Sequence, residues 1–372
     1  MKILAICSSI DLSVPGGGVP IWWQMLKSFH EAGAEVVVTT CLGKSFASPW
    51  WRSFQKPFTK VQDSIFFYGL DRGPSISKNL FKHFFEQRWQ QHLTNILTEE
   101  KDIDILFLMS LPRLAEKIPP WARSKFQIPT VYYESDIQNI PKYSLDHRPE
   151  KHRFPNLAEC DAVVCSFEKT SEEFREKGIQ KVKTIPFGAD PMIFAPVEIG
   201  QDIDVFFSGY GALDREDWIS RMIAIPSKIL SKARFVVEGT FKVDLGLAER
   251  IHSVSLDRYM HLCCRSKINL NILRQQFIDA EVLNSRIFEL ASLECCVVSN
   301  PCKSLQQFFE VNKEVLVAKD DKEAVEIYKW LISSEEERTA IGKSARRKIL
   351  KEHTYLHRAR EFLRLFKDLT LK

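Results

Sequence analysis

Apolar and polar positions along the chain alternate in blocks. "KILAICSS" (2–9) is a continuous apolar run, as expected of a strand buried on both faces. "VPIWWQMLKSFHEAG" (19–33) reads as a helix ended by Gly33, in the left-handed conformation glycine tolerates best. "EVVVTT" (35–40) is the next strand. A strand, a helix and a strand in this order imply a parallel sheet with right-handed crossovers. Further strands are predicted at 65–68, 104–109, 129–133 and "CDAVVCS" (160–166), then a helix over 168–177 stopped by Gly178, then "VKTIPFG" (182–188).

The second half repeats the style. "DVFFSG" (204–209), "ARFVVEG" (233–239), "SKINLNI" (266–272), "CCVVS" (295–299) and "EVLVA" (314–318) read as strands with helices between them. Two long charged helices are expected to fill 320–372. The pattern is α/β, with two doubly wound halves. Their boundary is expected near "GADPMIFAP" (188–196), where Pro191 and Pro196 suit a linker that joins neither sheet.

Composition changes this picture little. At 372 residues the chain is too long for a single core. Hydrophobic residues make up 45% and charged residues 27%, ordinary for a soluble enzyme. A net charge of +4 is too small for a nucleic-acid binder but suits an anionic ligand. The nine Cys have no CxxC spacing and lie largely in apolar runs, where Cys acts as a small hydrophobe. No signal peptide and no run of 18 apolar residues is seen. The expectation is a reduced, cytoplasmic protein. Among the nine His only His353 and His357 stand at HxxxH spacing, without the Glu of HExxH, and no metal site and no cofactor are expected.

"NSRIFELASLECCVVSN" (284–300) breaks the apolar pattern. A helix heading into a core carries Arg286 and Glu289, residue types almost never buried unless paired. One reading is an ion pair on a half-exposed face. The other is that the helix start faces a ligand. In doubly wound sheets, ligands sit beyond the carboxyl ends of strands, at helix N-termini. Asn284 or Ser285 would serve as N-cap, the free N–H groups of the first turn would seat an anion, and Arg286 would add a guanidinium fork. Glu289, one turn deeper, could accept hydrogen bonds from ribose hydroxyls. Glu281, eight positions earlier, could meet a hexose.

These residues resemble those of GT-B glycosyltransferases. Glu281 and Glu289 match the paired glutamates of the large retaining family in that class, and "NSRIFELAS" resembles the spore-maturation (CgeB-like) group. Residues 158–196, "DVFFSGYGALDRED" (204–217) and "SKINLNILR" (266–274) resemble corresponding stretches of these enzymes. The resemblance implies two doubly wound Rossmann-like domains facing across a cleft. An N-terminal acceptor domain would span 1–190, a nucleotide-sugar donor domain 191–355, and a C-terminal helix, 356–372, would cross back to the N-domain. Glu294 and Cys296 stand where the family usually has Gly and Pro. Glu294 is a poor left-handed residue, so the turn there is expected to differ.

The remaining donor-site candidates carry both a functional and a structural reading. Gly17 and Gly18, in "VPGGGVP", could approach a diphosphate with backbone N–H groups, or form a surface loop. Arg215, after Gly209, could be a second diphosphate cation or part of a solvated "DRED" cluster. Arg274 could reach phosphate, and Glu238 to Thr240 lie where such enzymes commonly hold the base through main-chain groups. Asp136 or Glu134 could face the acceptor, as a base tuned towards working pH or as a positioning group; an N-cap is the structural alternative for Asp136. Two aromatic and basic stretches, 48–60 and 79–93, suit core packing first, an acceptor platform second, and a membrane surface last.

The function this implies is metal-independent transfer, with retention, from a nucleotide-diphosphate sugar to a glycan, lipid or protein. Glu281, Arg286 and Asp136 are the catalytic candidates. An epimerase of the same fold and a non-catalytic carbohydrate-binding or coat-assembly protein are the alternatives. No nucleic-acid partner is expected.

Overall fold

The computed structural model describes residues 1–8, 10, 21–41, 45–55, 75–135, 156–211 and 213–371. The strand expected at 65–68, the loop with Gly17 and Gly18, and Asp136 lie outside the described residues. The chain divides into two compact units. Among described residues, the first takes those up to Pro186 together with Ala359 onward, and the second takes Phe187–Arg358.

In the first unit seven parallel strands are described: β1 (Lys2–Cys7), β2 (Glu35–Thr40), β3 (Arg52–Phe54), β4 (Ile105–Met109), β5 (Thr130–Glu134), β6 (Ala162–Cys165) and β7 (Val182–Thr184). Their order is β3-β2-β1-β4-β5-β6-β7. The apolar runs of β1, β4 and β5 sit at the centre, and β4 and β5 are buried at every position, as a sheet covered on both faces requires. The helix Ile21–Glu31 buries Trp22, Met25, Leu26 and Phe29, and Gly33 follows it at φ +91°. Phe29 meets Phe107 of β4 edge to face at 5.7 Å. Phe362 and Phe366, from the helix Tyr355–Thr370, join them: Phe362 lies 5.2 Å and Phe366 5.4 Å from the Phe107 ring.

The second unit holds β8 (Ile203–Tyr210), β9 (Phe235–Thr240), β10 (Glu249–Ile251), β11 (Ser266–Asn271), β12 (Val297–Ser299) and β13 (Leu316–Val317), all parallel in the order β10-β9-β8-β11-β12-β13. Both sheets therefore start at a middle strand, wind outward to one side, and then resume on the other. In the second unit the reversal falls between β8 and β11, which is where such sheets bind ligands. Phe207, Ile219, Met222, Ile268, Val298 and Tyr328 are core residues here. The buried Tyr328 hydroxyl donates to the carbonyl of Met222 at 3.0 Å.

Two features depart from the pattern reading. Residues 320–372 form three helices, not two: Asp321–Ser333, Glu335–Glu352 and Tyr355–Thr370. The first is capped by Asp320, which accepts from the N–H of Glu323 at 2.8 Å. The second ends where Thr354 bridges to Ala189. Glu294 does adopt the left-handed conformation, at φ +62°. Its N–H donates to Ala291 O, and the N–H of Cys295 to Leu290 O, both at 3.1 Å. This is the Schellman pair of bonds, and it holds a glutamate where glycine would cost less. No described helix is long and apolar enough to cross a membrane.

Candidate functional site

The helix Ser285–Ser292 starts beside the carboxyl ends of β8 and β11. Phe207, Ser208 and Gly209 from the first strand, Asn271 and Ile272 from the second, Arg215, and Asn284, Ser285, Arg286 and Glu289 from the helix start enclose a cavity of about 200 Å³. Asn284 is the N-cap residue, with extended backbone, but its side chain makes no capping bond. Its Oδ1 is buried without a hydrogen-bond partner, as is Oδ1 of Asn271. Native structures rarely leave such atoms unmatched, so each calls for a donor group.

Burial decides between the two readings of Arg286 and Glu289. Glu289 is only 5% exposed, so a pair on a half-exposed surface is not what the helix carries. Arg286 lies over the ring of Tyr259, its guanidinium carbon 5.6 Å from the centroid, as in a cation–π contact. Burial pulls the Arg286 pKa down, but Tyr259, Glu289 and Glu238 outweigh it and raise it above the ordinary value. Arg286 is therefore a fixed positive charge.

Arg215 supplies the second. It ends the short turn Leu213–Arg215 and lies over Phe207, 5.8 Å from the ring centroid. Burial lowers its pKa to about 10, helped by the charges of Arg286 and Arg274. Two like charges held near one cavity are costly unless an anion joins them. Gly209 makes room for this arrangement: a Cβ there would stand 3.1 Å from an Arg215 terminal nitrogen. In the adjacent strand Gly239, at φ +125°, is obligatory, because a Cβ would meet the Gly209 carbonyl oxygen at 2.0 Å.

Other sequence candidates fall elsewhere. Arg274 is held by Asp214 at 2.9 Å and does not line the cavity. The "DRED" stretch thus divides: Asp214 takes Arg274, while Arg215 faces the cavity. Glu238, 3% exposed, accepts from the Ser208 hydroxyl at 2.5 Å and the Val254 N–H at 3.2 Å, so its carboxylate braces β8 against the chain beyond β10. Glu281 is not brought to the cavity. It occupies a left-handed turn at φ +55° after the helix Gln275–Asp279, and its carboxylate meets Lys303 at 3.2 Å. In the first unit, Glu134 is buried and accepts from the Tyr132 hydroxyl at 2.6 Å. Trp89 and Leu93 are core residues, whereas Trp50 packs edge to face on Trp23 at 5.0 Å.

Sequence reading missed Tyr259, Phe207 and Asn271. The signal for Asn271 was legible: "INLNI" places asparagines, depleted in strands, inside an apolar run. Among the described residues no group of three or more His, Cys, Asp or Glu could hold a metal ion.

Residues 216–364 match the family model described as "Glycosyl transferase-like". No curated protein matches the sequence. Solved structures similar in fold include sucrose-phosphate synthase from Thermosynechococcus elongatus, at 12% identity and TM-score 0.69, with 99% of each chain covered. Another is a trehalose-6-phosphate protein from E. coli bound with UDP-2-fluoro glucose, at 12% identity and TM-score 0.66, covering 100% of this chain and 99% of that one. Anabaena HepE in complex with UDP aligns at 12% identity and TM-score 0.64, covering 99% of this chain and 100% of that one. The fold is GT-B, and residues 216–364 carry a glycosyl transferase-like domain, the fold and domain of a glycosyltransferase enzyme.

Proposed function

We propose that this enzyme transfers a sugar from a nucleoside-diphosphate sugar, and that the nucleotide binds in the cavity at the start of the helix Ser285–Ser292. One observation carries the reading: two guanidinium groups, Arg215 and Arg286, line one small cavity together with an uncapped helix N-terminus and the buried Glu289. The cations and the helix dipole offset the diphosphate charge. Glu289, one turn deeper, accepts from ribose hydroxyls. As the sugar–phosphate bond breaks, charge grows on the leaving diphosphate, and fixed cations stabilise that state more than the ground state.

The same groups supply positive charge without a divalent ion, so transfer should persist in chelator. Retention belongs to this reading through the family resemblance of Glu281 and Glu289, and the anomeric configuration of the product tests it. The acceptor, a glycan, lipid or protein, follows from none of these residues. Two of the similar proteins were solved with UDP or a UDP sugar, which makes UDP the first ligand to try.

Calorimetric titration with UDP, GDP, ADP and TDP tests the nucleotide site. One of them should bind, and Glu289→Ala should weaken that binding by about 1–3 kcal/mol, the cost of losing a charged hydrogen-bond partner. Unchanged affinity in a folded variant would remove Glu289 from the site. Slow hydrolysis of the matching nucleotide sugar, releasing nucleoside diphosphate, would separate an enzyme from a binder.

A further inference from the structure

The first unit carries a second charged feature that the nucleotide reading does not use. On the helix Tyr355–Thr370, Arg360, Arg364 and Lys367 are exposed and follow one another at i, i+4 and i+7. That spacing aligns them on one stripe about 10 Å long. With Leu363, Met1, Ala32, Gly33 and Ala34 they line a groove of about 380 Å³. Among the described residues no hydrogen bond or ion pair engages these three cations. The nearby carboxylates are matched elsewhere: Glu35 meets Lys2 at 3.1 Å and Glu31 meets Lys27 at 2.6 Å. Glu361 and Asp368, at i−3 and i+4 from Arg364, flank the stripe on one side.

A second groove, of about 370 Å³, shares Gly33 and Ala34 with the first and is lined by Trp50, Trp51, Arg52 and His30. In its aromatic wall Trp51 is buried and Trp50 half-exposed. Trp50 stands between Trp23 at 5.0 Å and Trp51 at 6.1 Å, with the Lys27 ammonium 5.7 Å over its ring. Arg52 keeps 61% of its side chain exposed although it reaches Glu100. Phe46, nearby in sequence, is 45% exposed. The two grooves meet at Gly33 and Ala34 and together present cations, Trp50, small aliphatic surface and one carboxylate, Glu35, which Lys2 pairs.

We propose that this face docks on a bilayer containing anionic lipid. Soluble polyanions would be recognised by the cations alone. The half-exposed Trp50 and the exposed Phe46 favour a membrane, because an indole ring settles at the headgroup level, one side apolar and one side wet. Cations alongside an apolar fringe match the two contributions that hold a surface-bound protein to a bilayer. The docking is independent of the nucleotide site, so its failure would leave that reading untouched.

Sedimentation of the full chain with vesicles tests it. The protein should pellet with mixed phosphatidylcholine–phosphatidylglycerol vesicles and stay in solution with phosphatidylcholine alone. Each Lys or Arg near an anionic leaflet strengthens partition about fivefold, so the triple variant Arg360→Gln, Arg364→Gln, Lys367→Gln should bind about 100-fold more weakly. Raising salt from 0.1 to 1 M, which cuts the Debye length from about 10 to about 3 Å, should release the wild type. Trp50→Ala should weaken binding without changing the salt dependence.

A control lacking Lys228, Lys313 and Lys329, each replaced by Gln in the second unit, loses the same net charge and should still pellet. Thermal melting of each variant establishes that it is folded; should the helix variant melt early, the salt response of the wild type and the control carry the test. Equal loss in the control would reduce the attraction to net charge and overturn the proposal. So would a wild type that binds a heparin column yet never pellets with the anionic vesicles.

Discussion

Arg286 and Glu289 show how a single polar position can be read from sequence. A charged pair three residues apart in an apolar helix stands out, and both residues line the cavity at the helix start. Arg274 and Glu238 were as conspicuous, but each is matched within the fold, by Asp214 and by Ser208 with Val254. Which of several charged residues already has a partner depends on distant chain, and one sequence does not reveal it. His353 illustrates the same point with a measurable outcome. Its Nδ1 lies 2.7 Å from an Arg358 terminal nitrogen. The guanidinium can only donate, so this ring nitrogen accepts and the imidazole is neutral. Burial, then the charge of Arg358, lowers its pKa from the ordinary 6.5 to about 4. A lowered folded-state value means the unfolded chain takes up the proton first. The contribution of His353 is therefore complete above pH 6.5 and drains away as pH falls towards 4. Between pH 7 and pH 5 it should lose about 2 kcal/mol. Urea unfolding at the two pH values should show that loss, reduced by this amount in His353→Asn. His92, also lowered to about 4 by burial, would continue to contribute in the variant. An unchanged pH slope would contradict the neutral, accepting imidazole.

At the scale of elements, apolar runs were the most legible feature. β1 and β4 follow continuous apolar segments because both faces of a parallel sheet are covered. Short edge strands were not legible: β3 and β10 span three residues each and carry little pattern. The turn at Glu294 was misjudged because residue preference was weighed without its bonds. Two backbone bonds and a close neighbour hold it. Gly342, in the helix Glu335–Glu352, passes so near that a Cβ would stand 2.1 Å from the Glu294 carbonyl oxygen. Gly342→Ala sets two effects against each other. The helix gains about 1 kcal/mol in propensity, while backbone must move to relieve a contact no real Cβ shows. Overpacking of this kind costs about 1–3 kcal/mol, so the variant should melt at a lower temperature than the wild type. A rise in Tm would mean the helix can slide off the turn at little cost. Since that turn leads out of the helix that lines the cavity, nucleotide affinity should fall as well.

At the scale of the whole chain, the alternation of strands and helices announced two doubly wound units. The family resemblance, rather than this alternation, implied that the last helix returns to the first unit, which takes in Ala359 onward. Phe362 and Phe366 complete a cluster with Phe29, Phe107 and Tyr133, with ring centroids 5.2–5.9 Å apart. The ring partners of Phe362 and Phe366 in Phe29, Phe107 and Tyr133 lie more than 200 positions away, so no local pattern names them. Phe362→Ala should destabilise the first unit by about 3–5 kcal/mol, the usual cost of emptying a buried aromatic site, and calorimetry should record it as a lower Tm. A loss under about 1 kcal/mol would mean the cluster closes well enough without that ring. The arrangement also has a consequence in time. During synthesis the sheet of the first unit emerges early, but the helix that covers Phe107 is encoded roughly 170 residues after Pro186. At about 5–20 residues per second, the ribosome needs on the order of 10–35 s to reach it. For that interval the nascent chain displays an apolar seat with nothing on it, a site that a chaperone can hold and that a neighbouring nascent chain can occupy by mistake.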